Sequence, residues 1–336
     1  MYTSTFSFDL PSQAIATEPR IAGADARLLV LRRATGAIEH CHVADLPSLL
    51  GDRYHIVAND SAVLPSTVAV ASEEGATTEV ALSRDVRDGR WRPLGRPSEV
   101  VDPHGVPTAA GLPEAARRWA QLSPEEAVMQ LARSGQVTFP RYLAHLKHLY
   151  PTGVPDFYLN AWSAEPGSVA PPSAGLNIGV DVLKEVLEAG ATFSTMTVHI
   201  GHVTFRRPQP GDLKNHKMEG EGYELSSQSA GLIEAAVENG RRILAVGTST
   251  TRALEHIAAT GDVSSMGNRG VADLFIRPGY DFGGIDAIFT GLHGPETTLF
   301  MLICAFGGRE KVFQAYHEAL DRGYRWYTLG DSMLIL

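Results

Sequence analysis

Cysteines and long apolar runs are both scarce in this sequence of 336 residues. The two cysteines, Cys41 and Cys304, lie far apart, so they form neither a disulfide framework nor a zinc site, and a disulfide-dependent secreted domain is excluded. The longest apolar stretches, such as 299–306, fall far short of the roughly 20 residues that span a bilayer. Residues 1–13 lack the basic segment and apolar run of a signal peptide. We therefore expect a cytoplasmic protein without a membrane segment.

Positive charge is also in short supply. The chain has 29 Lys and Arg against 38 Asp and Glu, which gives a formal net charge of −9. A broad basic surface for non-specific binding to nucleic acid is therefore excluded, although one local basic patch is compatible with this sum. Hydrophobic residues make up 44% of the chain and charged residues 20%, which is typical of a folded protein and excludes disorder. The length suits two domains better than one.

Two kinds of pattern divide the first half of the sequence. Residues 1–65 have the pattern of short strands and turns, and the segments 27–31 and 38–43, separated by Ala-Thr-Gly, predict a β-hairpin. Between 66 and 150 short β-like pieces precede a region with more helical character. The helix candidates in this region are 113–122 and 123–134. We predict that 66–150 form a smaller inserted domain.

From residue 165 onward, strand-like and helix-like segments alternate. This alternation is typical of an α/β domain with a largely parallel sheet. The strand candidate 242–246 runs into Gly-Thr-Ser-Thr-Thr and then into a helix candidate at 252–259. Backbone N–H groups at such a junction suit an anion, because a helix N-terminus carries partial positive charge. A ligand site and a plain capped turn both remain open for this junction.

Histidines and acidic residues cluster in the second half of the sequence. The cluster consists of His199, His202, His216, Glu219, Glu221 and His293. We expect no metal here, because a His-x-x-His spacing on a strand places the two rings on opposite faces and no His-Glu-x-x-His motif is present. Acid–base work or hydrogen bonding to a ligand is favoured, since neutral imidazole titrates near working pH. A purely structural role remains open for each histidine.

Ten short motifs follow one another along nearly the whole chain. They are FSFDLPSQAIATEP, RLLVL with TGAIEH, NDSAVLP, GSVAPPSAGL, VHIGHVTF, HKMEGEGYEL, AVGTSTTRALE, DLFIRPGYDF, TGLHGPETTLFMLICAFGG and GDSMLI. In this order they resemble the S-adenosylmethionine:tRNA ribosyltransferase-isomerase family of queuosine biosynthesis. The resemblance implies two domains: a mixed, largely parallel α/β domain from both chain ends, 1–65 plus 151–336, and an inserted β-rich, barrel-like domain, 66–150.

The same resemblance implies an unusual use of S-adenosylmethionine, as a co-substrate that donates its ribosyl portion, with no metal. The positive sulfur makes a C5′ proton acidic, and a general base removes it. The ribose ring opens and adenine leaves. The amine of a 7-aminomethyl-7-deazaguanine base in tRNA attacks, methionine departs, and an epoxycyclopentanediol remains. The protein must supply the base, a donor for departing adenine, and groups that hold the methionine end.

Site residues follow from the matched motifs. His216 and Glu221 are predicted to transfer protons or bind the ribose, and His293 to assist the departure of adenine. His199 completes the predicted catalytic set. The predicted substrate-binding residues are Asn59, Asp60, Asn177, Gly247, Thr248, Thr251, Arg252, Gly279, Tyr280 and Asp331.

Some motif positions depart from the usual family pattern. Ala62 and Glu296 stand where the family usually has Arg and Lys, and Asn177 stands where it has His. Lost cations weaken a grip on the RNA backbone, because each contact between a cation and a phosphate adds affinity. Two alternatives therefore stay open. One is a paralogue that deprotonates S-adenosylmethionine at C5′ for a small-molecule acceptor or as a lyase or isomerase, and the other is a non-catalytic module that binds S-adenosylmethionine or RNA.

Overall fold

The structure, a computed structural model, describes residues 1–19, 25–72, 75–102, 104, 108–261 and 268–336. The strands are β1 (Arg27–Leu31), β2 (Ile38–His42), β3 (Tyr54–Asn59), β4 (Ser61–Val63), β5 (Thr67–Ala71), β6 (Thr77–Arg84), β7 (Trp91–Gly95), β8 (Glu165–Ser168), β9 (Thr192–Val198), β10 (Glu221–Leu225), β11 (Arg242–Val246), β12 (Asn268–Ala272), β13 (Ala287–Gly291) and β14 (Ser332–Ile335). The α-helices are α1 (Leu46–Leu50), α2 (Pro97–Val100), α3 (Pro124–Ser134), α4 (Val180–Glu188), α5 (Ser227–Glu238), α6 (Thr248–Thr260), α7 (Thr298–Gly307) and α8 (Arg309–Asp321). The longest 3-10 helices are Glu114–Gln121 and Arg141–His148.

A mixed nine-stranded sheet forms the centre of the described structure, in the order β12-β10-β9-β3-β11-β13-β14-β1-β2. Strands β9, β3, β11 and β13 pair in parallel, and so do β14 and β1. The other pairs are antiparallel, including the predicted hairpin of β1 and β2. Two helices, α7 and α8, separate β13 from β14, and β14 runs antiparallel to β13. The described sheet is thus mixed, as predicted, but the prediction that it is largely parallel is only half right, because four of its eight strand pairs are antiparallel.

Helices cover both faces of this sheet, and side chains alternate between the two layers. In β1, Leu28 and Val30 belong to the apolar cluster that includes α1 and α4, while Leu29 and Leu31 belong to the cluster that includes α5 to α8. This period of two is what a strand buried on both faces requires. The prediction of an α/β architecture is confirmed.

A separate antiparallel sheet of three strands, β5-β6-β7, lies within 66–150. It packs with α3 and with the 3-10 helix Glu114–Gln121 around its own apolar cluster, which contains Trp91 and Trp119. The expected barrel is not formed by the strands that the structure describes in this segment, because three strands are too few to close a sheet on itself. The segment after β7 is instead largely helical and 3-10 in character.

Local sequence signals explain where α3, one of the two helical segments predicted here, begins. Ser123 accepts a hydrogen bond from the Glu126 backbone N–H, and the Glu126 carboxylate accepts one from the Ser123 N–H, so α3 begins with a capping box. Pro124 occupies the first helical position, where its missing N–H costs nothing. The candidate 113–122 is also helical: Glu114–Gln121 is a 3-10 helix, with no side-chain cap at its N-terminus.

We predict that Ser123→Ala lowers the free energy of unfolding by about 1 kcal/mol, because the N-terminus of α3 loses its side-chain cap. Urea unfolding followed by circular dichroism measures the change. Ser123→Asp retains an acceptor at the same position and serves as the control. Equal loss in the Ala and Asp variants would show that the cap does not stabilise this helix.

Candidate active site

The turn between β11 and α6 is the first feature of the site. Gly247 has a φ of +94°, a value that side-chain-bearing residues avoid, and its N–H donates to the Phe289 carbonyl at 2.8 Å. Helix α6 therefore starts at Thr248, four residues before the predicted start at 252. The Thr251 hydroxyl donates to the Gly247 carbonyl at 3.0 Å, and no side chain caps the N-terminus of this described helix. Its first N–H groups are thus available to an anion.

A cavity of about 380 Å³ lies at this helix N-terminus. That volume is within the range of roughly 300–1,000 Å³ that is usual for small-molecule sites. Its wall comes from segments that are far apart in the chain. They are 140–142, 170–174, 204–207, 247–249, 290–294, 297–299 and 327–328. Single residues such as Ile15, Met218, Glu221 and Arg252 also line the cavity.

A buried ion pair forms part of the wall. Glu221 at the start of β10 and Arg252 in α6 are 5% and 7% exposed, and Arg252 Nη1 donates to Glu221 Oε2 at 2.9 Å. Burial raises the pKa of Glu221, while the Arg252 charge and the Gly201 N–H act in the opposite direction. Arg252 Nη2 donates to the Ala272 carbonyl at 2.8 Å. The Arg252 Nε is buried without a hydrogen-bond partner in the part of the chain that the structure describes.

His293 lies in the same wall, directly after β13. Its Nε2 lies 2.9 Å from the Thr290 hydroxyl oxygen, and its backbone N–H donates to the Tyr316 hydroxyl at 3.1 Å. Burial lowers the pKa of His293 to about 4. The imidazole is therefore neutral at pH 7, so it can give or take one hydrogen bond without carrying a charge.

The cavity brings together five of the residues predicted from the sequence: Gly247, Thr248, Glu221, Arg252 and His293. The other predicted residues lie outside the described cavity wall. They are His199, His216, Asn59, Asp60, Asn177, Thr251, Gly279, Tyr280 and Asp331. Their predicted roles stay predictions.

The two histidines outside the wall have different surroundings. His199 Nδ1 lies 2.8 Å from the Ser61 hydroxyl oxygen, which also lies 2.6 Å from that of Ser168. Burial, and then the charge of Arg84, lower the pKa of His199 to about 4. The half-buried His216 packs edge-on against Phe275, with 4.7 Å between ring centroids, and burial lowers its pKa.

Residues predicted near β3 bind strand backbones. The buried Asn59 accepts hydrogen bonds from the Ser61 and Val198 N–H groups and donates to the Val198 carbonyl at 2.8 Å. Asp60 accepts a hydrogen bond from the Thr197 hydroxyl at 2.7 Å. These contacts fix the end of β3 against β9.

The remaining predicted residues hold loops together. Asn177 donates to the Gly330 carbonyl at 2.9 Å. Asp331, which is fully buried, accepts hydrogen bonds from the Arg325 and Arg27 N–H groups. The Tyr280 hydroxyl donates to Glu255 at 3.2 Å, and Gly279 beside it has a φ of +99°.

Several cavity residues were not predicted from the sequence. They include Arg141, Tyr142, Arg206, Arg207, Ser249, Tyr327 and Thr328. A signal existed for Arg206 and Arg207, which directly follow the motif VHIGHVTF. Neither Tyr142 nor Tyr327 lies in a pattern that points to a ligand, because they meet only after folding.

The described residues contain no group of three or more His, Cys, Asp or Glu side chains that could hold a metal ion. They also contain no helix that is long and apolar enough to cross a bilayer.

The fold and the cavity define an α/β protein that can bind a charged small molecule where strands and helices meet. The profile of one protein family, described as queuosine biosynthesis protein, matches residues 3–335. The chain therefore belongs to that family, as the motifs predicted.

Relatives in this family match the chain from end to end. The S-adenosylmethionine:tRNA ribosyltransferase-isomerase of Anaeromyxobacter dehalogenans strain 2CP-C is 35% identical, covering 100% of this chain and 99% of the relative. The enzyme of the same name from Moorella thermoacetica is also 35% identical, covering 100% of both chains. The crystal structure of S-adenosylmethionine tRNA ribosyltransferase from Thermotoga maritima is 26% identical with a TM-score of 0.59, covering 99% of this chain and 100% of that one.

We predict that acid destabilises this protein between pH 6.5 and pH 4. His55, His199 and His293 each have a pKa lowered to about 4, chiefly by burial, whereas the unfolded chain binds these protons near pH 6.5. The unfolded state thus holds more protons in this window, so stability is present above it and is lost as pH falls. Each histidine contributes a slope of about 1.4 kcal/mol per pH unit. Urea unfolding at pH 7, 6 and 5 measures it.

Two variants test whether the buried histidines cause this pH dependence of stability. His55→Gln removes one titrating group and is expected to make the pH dependence shallower by up to the contribution of one histidine. His42→Gln changes an exposed ring and serves as the matched control. Unchanged slope in His55→Gln would contradict a neutral, buried His55.

Proposed function

We propose that this protein transfers and isomerises the ribosyl portion of S-adenosylmethionine onto tRNA in queuosine biosynthesis, with release of adenine and methionine. Relatives that carry this name match the chain over its full length. For the site, the proposal rests on one observation: the Glu221–Arg252 ion pair, His293 and the uncapped N-terminus of α6 line the same cavity.

The N-terminus of α6 is proposed to bind the methionine carboxylate of the donor. Thr248 and Ser249 line the cavity, and their backbone N–H groups belong to the first turn of a 13-residue helix. An anion is stabilised there by both the N–H groups and the helix dipole. The unpartnered Nε of Arg252 supplies a further donor in the same wall.

Glu221 is proposed to accept the C5′ proton. It is the only carboxylate among the described residues of the wall, and its raised pKa makes it a stronger base than an exposed glutamate. The C–H electron pair stays on C5′, next to the positive sulfur. The bond between C4′ and the ring oxygen breaks as that electron pair forms a C4′–C5′ double bond. The ring oxygen becomes a carbonyl at C1′, and adenine leaves with the electron pair of its glycosidic bond. Neutral His293 is proposed to donate an N–H hydrogen bond to the leaving base.

The remaining steps transfer the opened sugar to the tRNA base and release methionine. The amine of the tRNA base adds to C4′, its proton goes to the departed adenine, and the double-bond electron pair returns to C5′ beside the sulfur. C5′ then attacks the C1′ carbonyl carbon, which closes the five-membered carbon ring and leaves an alkoxide on C1′. The alkoxide attacks C5′ and closes the epoxide, while methionine departs as a neutral thioether that takes the C–S electron pair. No step requires an oxidant or a metal.

Besides Arg252, three arginines of the cavity wall suit an RNA substrate. Arg141, Arg206 and Arg207 all line the cavity, although the whole chain carries a net charge of −9. Asp102 pairs with Arg141, and Glu219 pairs with Arg206 at 3.1 Å. Arg141 and Arg206 therefore share their charge with carboxylates, and Arg207 is the arginine of the wall that we expect to contact the phosphate backbone. A tRNA substrate also supports a cytoplasmic location.

We also propose that 66–150 form an inserted domain, while 1–65 and 151–336 form the catalytic one. The separate sheet of β5, β6 and β7 and its own apolar cluster support this division. The proposed domain contributes Arg141 and Tyr142 to the cavity wall.

We predict that Glu221→Gln lowers kcat for adenine release by about 10²–10⁴-fold, because the amide cannot accept the C5′ proton. Adenine is measured by chromatography after incubation with S-adenosylmethionine and tRNA that carries 7-aminomethyl-7-deazaguanine. Glu224→Gln is the matched control, since Glu224 lies on the same strand with its side chain 55% exposed. A Glu221→Gln enzyme as fast as wild type would exclude Glu221 as the base.

Stability is measured in parallel, because Glu221→Gln leaves the buried Arg252 charge without its carboxylate. His293→Gln provides a second variant without that cost, and its expected loss of kcat is about 10²–10³-fold. Adenine release by the wild type without RNA would favour the small-molecule acceptor. No release under any condition would favour a binding module.

We predict that Arg207→Glu weakens tRNA binding and makes it less dependent on salt, because one phosphate contact is lost and a negative charge is added. The slope of log K against log salt concentration falls in magnitude by about 0.7–0.9 for each contact removed. Filter binding at several salt concentrations measures both effects. Arg117→Glu is the control, since this side chain is 79% exposed and lies outside the described wall. Identical slopes in the two variants would rule out a phosphate contact at Arg207.

A further inference from the structure

Two tyrosine rings form a stack in the cavity wall. Tyr142 comes from the 3-10 helix Arg141–His148, and Tyr327 comes from the segment before β14. Their ring centroids are 4.9 Å apart and their planes are inclined by 22°. The donor- and proton-transfer groups described above do not include either ring.

The position of Tyr142 is fixed by hydrogen bonds. Its hydroxyl lies 2.6 Å from the Thr328 hydroxyl oxygen and accepts a hydrogen bond from the Thr328 N–H at 3.3 Å. Burial raises the pKa of Tyr142 to about 12, so the phenol stays protonated at neutral pH. The ring is therefore an uncharged, oriented surface.

The position of Tyr327 requires an uncommon backbone conformation. Its φ is +72°, in the left-handed region that residues other than glycine rarely adopt. Its N–H donates to the Leu292 carbonyl at 3.1 Å. A Cβ at Gly294 would lie 2.5 Å from the Tyr327 hydroxyl oxygen, so only glycine lets the ring come this close. Such conformations cost free energy and persist mainly where a site uses them.

We propose that the Tyr142–Tyr327 stack is a platform on which a purine-type base lies during the reaction. This inference rests on the proposed function, in which both substrates carry such a base: the adenine of S-adenosylmethionine and the deazaguanine of the tRNA. A flat base on an outer face of the pair extends the stack, with offset rings at the spacing that aromatic groups prefer. Stacking binds a base without forming hydrogen bonds that must break when it departs.

The test compares ring replacements that carry the same backbone cost. Tyr, Phe and Leu all have an unbranched Cβ, so Tyr327→Phe and Tyr327→Leu differ in the ring and not in the strain at φ +72°. Tyr142→Leu repeats the test on the other ring. Tyr2→Leu is the control, because Tyr2 is 59% exposed and lies outside the described wall. Each variant is measured for the Kd of S-adenosylmethionine by calorimetry without RNA, and for the KM of modified tRNA by adenine release.

The Leu variants are expected to weaken one of these constants by about 2- to 12-fold, the range for losing an aromatic pair beyond its buried area. Tyr327→Phe is expected to stay within about twofold of wild type, because it keeps the stacking ring. A raised Kd identifies the base as the donor's adenine, and a raised KM with unchanged Kd identifies it as the tRNA base. Leu variants that match Phe in both constants, with unchanged unfolding midpoints, would overturn the platform.

Measurements on the wild-type protein test the proposed function separately from this inference. A wild-type protein that binds S-adenosylmethionine but releases no adenine with tRNA contradicts the function. The platform for adenine would still be supported by a weaker Kd in the Leu variants, and overturned by an unchanged one.

Discussion

The site depends above all on the buried pair of Glu221 and Arg252. Taking two charges out of water costs several kcal/mol for each ion, so such a pair adds little to stability by itself. Its geometry nevertheless fixes three elements, because Arg252 in α6 reaches both Glu221 in β10 and the Ala272 carbonyl in β12. The edge of the sheet and the helix N-terminus are thus held in one arrangement. The Arg252 charge holds Glu221 as a carboxylate at a depth where an unpaired carboxylate would take up a proton.

The neighbouring groups follow from that arrangement. Gly247 brings α6 directly onto the end of β11, and its N–H binds the end of β13, where His293 lies. A partial positive charge at the helix, a carboxylate and a neutral imidazole therefore share one cavity. In the proposed function these three kinds of group serve the three parts of the donor: its methionine end, its sugar and its base.

The sequence predicts the regular elements well and the cavity only in part. Strands β1 and β11 have the predicted bounds because apolar runs end at clear turn residues. Helix α6 begins earlier than predicted because Gly247 can adopt a positive φ, and threonine hydroxyls then bond to carbonyl groups one turn back. The helix candidate 113–122 is confirmed as the 3-10 helix Glu114–Gln121, a helix type that the sequence pattern does not specify.

The motifs predicted cavity residues such as Glu221 and His293, and they also predicted Asn59 and Asp331, which lie outside the described wall and whose side chains bind backbone groups. A buried polar residue in a motif looks the same in sequence whether it holds a ligand or a loop. No pattern in the sequence predicts the Tyr142–Tyr327 stack, because its two rings come from distant parts of the chain. The hydrogen-bonded partners Tyr142 and Thr328 are 186 residues apart. Contacts of that range arise only from topology.

The place of β14 in the sheet has a consequence for synthesis on the ribosome. Among the strands that the structure describes, the hairpin of β1 and β2 is joined to the rest of the sheet only through β14. The Arg27 N–H accordingly bonds to Asp331, 304 residues later. The hairpin is therefore synthesised long before the strand that completes its pairing. Until then its edge is exposed, so nascent chains need protection from association at this point.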